Sequence, residues 1–277
     1  MAESSSVTII IVTHNADAYF AACLDSLYGQ SLAPRQVLVV DSGSRSVDYL
    51  EKLGNAYPFI TVQEDNIGFS RANNAGLSCC DMESDFFIFL NPDTVLPSKC
   101  LETACAELKS CPEAGCLTPR LLGYDLQGQA PSGRLDSTGI FRKAYGRWYD
   151  RGQGEVEHGQ YSSREFVPAA CGAFFFMRKE ALQDVLLAPD TLFEPEFFLY
   201  KEDIELSLRL RRKGWRILYS PSVIAYHGRG WQADRKKMEY GLRMQAARNE
   251  MILYRKHPSP YFFWAMLKWL LVKYFRI

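Results

Sequence analysis

A chain of 277 residues holds one large α/β domain or two small ones, and 47% hydrophobic with 23% charged residues is the balance of a globular protein with a real core. Lysine plus arginine and aspartate plus glutamate balance at 32 each, so charge argues for neither a nucleic-acid nor an acidic partner. The eight cysteines form no C-x-x-C pair, which sets aside a structural zinc site, and the N-terminal MAESSSVTIIIV lacks the basic start of a signal peptide, so reduced thiols and a cytoplasmic location are the expectation.

Residues 7–12, VTIIIV, read as a buried strand. Phe20, Cys23, Leu24, Leu27 and Tyr28 then recur at helical spacing. A strand at 37–40, a short helix over about 46–56, a strand at 60–63, a helix near 69–80 and the strand FFIFL at 86–90 follow. Short apolar runs alternating with helices predict right-handed βαβ units and a mostly parallel, Rossmann-like sheet flanked by helices. Residues 120–165, rich in Gly, Arg and Tyr, show little periodicity and read as a long excursion able to fold over a site. The remaining predicted elements are a strand at 169–177, a helix at 179–187, an amphipathic helix opening at Glu202, strands at 215–219 and 223–226, and a helix from about 234 to 256. Pro258 and Pro260 mark a break before YFFWAMLKWLLVKYFRI, 261–277. That segment is short for a spanning helix; its aromatic residues and interspersed lysines suit either the membrane interface or a final core helix.

In sheets of this kind ligands bind beyond the carboxyl ends of the strands. Those ends carry Thr13-His14-Asn15, Asp41-Ser42-Gly43-Ser44, Glu64-Asp65-Asn66 and Asn91-Pro92-Asp93. One such cluster is explained by a turn; four at one edge read as one site. Asp41 is placed either to accept from a nucleobase N–H or ribose hydroxyl, or to open an Asx turn. Gly68 permits a close backbone approach where a helix N-terminus would face a phosphate, and Arg71 adds charge there. Asn73 and Asn74 are poor helix formers inside a predicted helix and invite explanation. Asp93 is a hard oxygen donor suited to Mg²⁺ or Mn²⁺, and Asn91 adds a neutral amide oxygen. His227, ending SVIAYH, would complete a divalent site with Asp93 through one imidazole nitrogen. Glu202 and Asp203 sit where free helix N–H groups and the helix dipole favour an anion, so they read either as a cap or as a fixed, ionised base.

In order and at their separations, VTIIIVTHN, VVDSGS, EDNIGFSRANNAG, FLNPDT, CGAFFFMRKEAL, FFLYKEDIELSLRLRRKGW and YHGRGW resemble the inverting family-2 glycosyltransferases of GT-A fold, and within them the rhamnosyltransferase-like branch. The motifs span roughly 7–250, and DSTG at 136–139 and GRWYDRGQGE at 146–155 resemble the same branch. The resemblance implies a GT-A domain over 1–257, with a nucleotide-binding half at about 7–119 and an acceptor-binding half at about 120–257, followed by an amphipathic C-terminal helix at 258–277. It implies donor contacts from Thr13, Asn15, Asp41, Asn66, Gly68, Arg71 and Asn91, a metal held by Asp93 and His227, and Asp203 as general base. Gly172 and Ala173, with Glu202 and Trp231, would lie against the acceptor.

The implied reaction moves a sugar from a nucleoside-diphosphate sugar to a hydroxyl of a glycan or lipid-linked glycan in cell-surface polysaccharide synthesis, at the inner face of the cytoplasmic membrane. Rhamnose from dTDP-rhamnose is the donor the branch suggests, with UDP-hexoses as the alternative. Asn91 stands where the family's metal motif has its first acid, which lowers the charge of the site. That departure keeps a catalytically silent nucleotide-sugar-binding protein as a second reading. A nucleotide-dependent oxidoreductase is disfavoured, because no G-x-G-x-x-G follows the first strand.

Overall fold

The computed structural model describes residues 5–228 and 239–276. In chain order the elements are β1 (Val7–Thr13), α1 (Phe20–Tyr28), β2 (Gln36–Ser42), α2 (Asp48–Gly54), β3 (Ile60–Glu64), α3 (Phe69–Ser78), β4 (Phe86–Leu90), β5 (Thr94–Val95) and α4 (Cys100–Lys109). They continue with β6 (Ala114–Asp125), β7 (Ala130–Ser137), β8 (Ile140–Arg142), β9 (Trp148–Asp150), β10 (Glu165–Phe166), β11 (Phe174–Arg178), α5 (Lys179–Asp184), α6 (Glu202–Arg212), β12 (Arg216–His227), α7 (Tyr240–Lys256) and α8 (Phe262–Phe275).

The first half builds as its periodicity predicts. Strands β3, β2, β1 and β4 lie side by side and parallel. The register sets Thr13 opposite Asp41 and Ser42 opposite Glu64, so the polar strand ends share one edge. Beyond β4 the sheet is mixed. β11 runs antiparallel to β4, with Phe174 opposite Leu90, and β12 runs parallel to β6 but antiparallel to β5. That last pairing sets His227 opposite Thr94 and returns the histidine to the edge where Asp93 sits.

Both faces of the sheet are covered, and side chains alternate between them. Ile9, Ile11, Ile88, Phe174 and Phe176 pack with Phe20, Leu24 and Leu101 on one side. Ile10, Phe87, Phe89, Phe175 and Met177 pack with Leu77, Leu206 and Leu210 on the other. All eight cysteines are free thiols.

Several expectations change. The strands expected at 215–219 and 223–226 are one strand, with a register shift between Ser220 and Ile224 where Pro221 cannot donate to the ladder. The strand expected at 169–177 begins only at Phe174, because Ala169 makes a single bridge to Ile140 and residues 172–173 form a turn in which the Phe174 N–H donates to the Cys171 carbonyl at 3.3 Å. The helix expected at 179–187 ends at Asp184. The helix expected from 234 is described from Tyr240, and 234–238 lie outside the described residues.

The excursion at 120–165 is ordered, and it brings Asp136 to His227. β6 and β7 pair antiparallel, and β8 and β9 form a hairpin docked on the C-terminal helices. Tyr254 donates its hydroxyl to the Gly146 carbonyl at 2.8 Å, and Tyr145 meets Trp264 edge-on at 5.4 Å. Helix α8 in turn buries Ala265 and Val272, and its Lys268 pairs with the buried Glu250 of α7. Its other face presents Phe263, 71% exposed, with Met266, Leu267 and Tyr274. Among the described residues no helix is long and apolar enough to cross a membrane.

Candidate active site

The edge of the sheet carries two clusters of different character. At the ends of β1 and β2, Asp41 is buried and its carboxylate is bound throughout by its own chain. Oδ1 accepts the Ser44 N–H at 2.9 Å; Oδ2 accepts the Ser44 hydroxyl at 2.5 Å, Thr13 Oγ1 at 3.1 Å and Tyr49 Oη at 3.4 Å. Asn15, at a positive φ of 51°, donates its N–H to Ser44 Oγ at 2.7 Å and accepts the Arg45 N–H at 2.9 Å. Gly43 lies so close to Asn66 that a Cβ would come within 2.5 Å of its backbone nitrogen. Thr13, Asn15 and Asp41 therefore converge, and Asp41 closes a local turn through the Ser44 N–H, three residues on, rather than the Asx turn through Gly43.

Gly68 and Arg71 turn elsewhere. The close approach that Gly68 permits, at φ 83°, is to Phe198, whose ring would meet an added Cβ at 2.5 Å. The Phe198 carbonyl also takes the Phe69 N–H at 2.7 Å, so the first N–H of this helix start is bound by protein. Arg71 Nε donates to the Pro195 carbonyl at 3.3 Å. Asn74 explains its own presence in a helix: it bonds the Phe193 carbonyl at 2.7 Å and accepts the Leu192 and Phe193 N–H groups at 3.0 and 2.8 Å. Helix α3 thus fastens the segment 192–198 that leads into the acid pair.

The second cluster gathers around the ends of β4, β11 and β12. His227, only 3% exposed, lies with Nδ1 2.7 Å from Asp136 Oδ2 and Nε2 3.2 Å from Asp93 Oδ1. Asn91 Nδ2 is 3.2 Å from the same Nε2. Burial opposes charging the ring, but Asp93 and Asp136 outweigh it and hold the imidazole pKa up at about 9. Asn91 also donates its N–H to the Ala173 carbonyl at 3.0 Å, and the neighbouring Gly172 N–H donates to Asp203 Oδ2 at 3.1 Å. A short run of backbone therefore ties the expected metal ligands to the expected base.

Asp203 is the second residue of α6, and its Oδ1 accepts the Ile204 N–H at 2.8 Å. Its pKa is nonetheless raised: burial and the charge of Asp150 outweigh Lys201 and the two N–H donors. The helix start positions this carboxylate without holding it at an ordinary acidity, contrary to the expectation from the dipole alone. Glu202 is 6% exposed with Oε2 lacking a hydrogen-bond partner, and burial, then Asp203, lift its pKa to about 8. Below them on the same helix Glu205 is clamped by Arg209 at 2.8 Å and by His257 at 3.2 Å. Trp231 lies outside the described residues.

Asp136 and Asp150 were not singled out from the sequence, although both lie inside segments that resembled the branch. Asp93 Oδ1 and His227 Nε2 face one another and suit a hard divalent ion, and the Asp136 contact at Nδ1 is the outer support such an imidazole needs. Among the described residues no group of three or more His, Cys, Asp or Glu could hold a metal. Two protein donors fit the ion only if a diphosphate and water complete its shell.

The profile described as "Glycosyltransferase like family 2" matches residues 4–247. A pre-mycofactocin glycosyltransferase of Mycobacterium tuberculosis is 27% identical over 242 residues, covering 85% of this chain and 46% of that protein. An N-acetylglucosaminyl-diphospho-decaprenol L-rhamnosyltransferase of the same species is 23% identical, covering 82% of this chain and 77% of that protein. Among solved structures, GalNAc-T7 with UDP, GalNAc and Mn²⁺ superposes with a TM-score of 0.64 at 14% identity, covering 99% of this chain and 58% of its own. The mannosyltransferase PcManGT of Pyrobaculum calidifontis, with GDP-Man and Mn²⁺, gives 0.59 at 17% identity, covering 97% of this chain and 70% of its own. The chain thus has the GT-A fold, and it spans about half the length of the first of these relatives.

Proposed function

The chain belongs to glycosyltransferase-like family 2, and from that premise we propose that it transfers a sugar, with inversion, from a nucleoside-diphosphate donor to a hydroxyl of a glycan or lipid-linked glycan. The observation that carries the reading is Asp203: a carboxylate of raised pKa, fixed by the Gly172 and Ile204 N–H groups and linked through residues 172–173 to Asn91, Asp93 and His227. A base is most effective when its pKa lies nearer the working pH than a free carboxylate's does.

In the proposed step the acceptor oxygen attacks the anomeric carbon as the bond to the diphosphate oxygen breaks on the opposite face, and the acceptor proton passes to Asp203. Gly172, Ala173, Glu202 and Trp231 shape the acceptor side; Thr13, Asn15, Asp41, Asn66 and Asn91 belong to the donor side, whereas Gly68 and Arg71, turned to Phe198 and Pro195, brace the segment that leads into the acid pair. Mg²⁺ or Mn²⁺ held by Asp93 and His227 would offset charge developing on the leaving diphosphate. Asp136 keeps the His227 ring oriented for that task.

The rhamnosyltransferase relative supports dTDP-rhamnose as first donor and a polyprenyl-linked acceptor, with a UDP-hexose next. The test is a panel of nucleotide sugars with Mn²⁺ or Mg²⁺, scored by thermal shift and by release of nucleoside diphosphate. Stabilisation by a donor with no release, even with acceptor present, would favour a silent binding protein.

A lipid-linked acceptor calls for contact with the inner face of the cytoplasmic membrane. The sequence 258–277 contains no acid, and α8 turns Phe263, Met266, Leu267 and Tyr274 outward beside Lys273. Such a face suits the boundary between headgroups and acyl chains. The protein should sediment with vesicles containing phosphatidylglycerol, and the double variant Phe263→Glu, Leu267→Glu should stay in the supernatant. Equal sedimentation of the two would sink this contact.

A further inference from the structure

The acid pair is delivered by a turn that its own residues disfavour. Tyr200 and Lys201 both have positive φ, 75° and 76°, and neither is glycine. Two consecutive side-chain-bearing residues in the left-handed region persist only where the surroundings over-determine them. Their restraint comes from a residue far along the chain. Asn249, 0% exposed on α7, donates through Nδ2 to the Leu199 and Tyr200 carbonyls, each at 2.7 Å. Gln245 Nε2 donates to Asn249 Oδ1 at 3.0 Å. With the amide turned over, its oxygen would face both carbonyl oxygens and its nitrogen would face a donor, so only one orientation satisfies every group. On the other side the turn is held by Phe198, packed on Gly68 and bonded to Phe69. Helix α6 starts directly from it, with the Glu205 N–H donating to the Lys201 carbonyl at 2.9 Å.

We infer that Asn249 is a positioning residue for the transfer reaction: it clamps the left-handed Tyr200–Lys201 turn and so presents Asp203 to the acceptor, with Gln245 setting the orientation of the clamp. The inference rests on the reading of Asp203 as the base. A buried packing residue would tolerate loss of its hydrogen bonds with a general fall in stability. A clamp on a strained turn should instead be felt first at residues 199–204.

Two measurements decide it. In Asn249→Ala, deuterium exchange on the protein alone should speed up in the peptide 197–206 while the sheet keeps its protection. The kcat for nucleoside-diphosphate release from dTDP-rhamnose, with UDP-glucose as the second donor tried, should fall by about tenfold to a hundredfold with donor KM nearly unchanged. In a Tyr200→Gly background the fall should shrink by about threefold or more, because glycine needs no clamp at that φ. Unchanged exchange, an unchanged kcat, an equal loss in both backgrounds, or a rise in donor KM matching the fall in kcat would each overturn the inference. If Asn249→Ala does not fold, Asn249→Asp keeps the shape while replacing the donors, and the same criteria apply to it. Retained turnover in Asp203→Asn, run in parallel, would sink the base reading; the exchange result, which needs no substrate, still decides whether Asn249 holds the turn.

Discussion

The two clusters at the sheet edge spend their carboxylates in opposite ways. Asp41 is surrounded by Ser44, Thr13 and Tyr49, and both of its oxygens are bound by its own chain. Glu202 and Asp203 are buried at the start of α6, where burial raises both pKa values, with repulsion from Asp203 adding at Glu202 and from Asp150 at Asp203. The first arrangement makes a rigid ledge; the second holds carboxyls that gain by taking a proton. A buried carboxyl that favours protonation suits an acceptor of protons in a reaction, whereas a fully bonded one suits a shaped surface.

The sharpest way to break this contrast is Asp203→Asn. If proton transfer resides in the acid pair, turnover should fall by about 10²–10⁴-fold while donor affinity, measured by calorimetry, stays close to that of the parent. An asparagine variant that turns over normally would move the base elsewhere. Next in size is Asp136→Asn. Loss of the carboxylate behind His227 Nδ1 should weaken activation by Mn²⁺ about 10- to 100-fold, read as a rightward shift of the metal titration after treatment with EDTA. If chelation leaves activity intact, Asp93 and His227 do not work through a metal.

Much of the ledge was legible in the sequence. Thr13, Asn15 and Asp41 follow short continuous apolar runs, and parallel strands align such ends by topology alone. The anomaly of Asn74 was legible too, but its partners at 192–193 are brought near only by the fold. The acid pair and its surroundings were half legible. Asp203 and Asp93 stand in recognisable motifs, whereas Asp150 arrives on a β8–β9 hairpin within a segment that shows no clear periodicity. Asn249 sits in the middle of an ordinary helix, and its role depends on the φ of Tyr200 and Lys201, which no local pattern announces. Gly68 misled for a related reason: a glycine before a helix signals a close approach, but not what approaches.

A smaller effect separates the clusters by pH. The folded chain keeps a proton on Glu202 up to about pH 8, whereas an ordinary glutamate releases it near 4.5. Between those values the unfolded chain binds fewer protons, so the contribution of this group to stability is full below about 4.5 and is lost as pH rises towards 8. Glu202→Gln should therefore flatten the decline in melting temperature between pH 5 and pH 8 relative to the parent. Parallel curves for the two proteins would show that the carboxyl is solvated after all.

The smallest effect is expected at the ledge, and it tests what the ledge is for. In Asp41→Asn the carbonyl oxygen can still accept, and the amide can donate to the Ser44, Thr13 and Tyr49 hydroxyls if they rotate. Three hydroxyl contacts reverse direction at that nitrogen, which has two N–H groups to give them, so at least one is lost, a cost of about 1 kcal/mol in a urea denaturation curve. Donor preference is the informative readout. If Asp41 also accepts from a ribose hydroxyl, which UDP carries at C2′ and dTDP lacks, exchanging an acceptor-only group for one that donates should alter the ratio of kcat/KM for dTDP-rhamnose over UDP-glucose. If the carboxylate serves only to shape the turn at Ser42–Arg45, both donors should weaken together and the ratio should hold. A changed ratio would bring the ledge into the chemistry of recognition and erase part of the contrast between the two clusters.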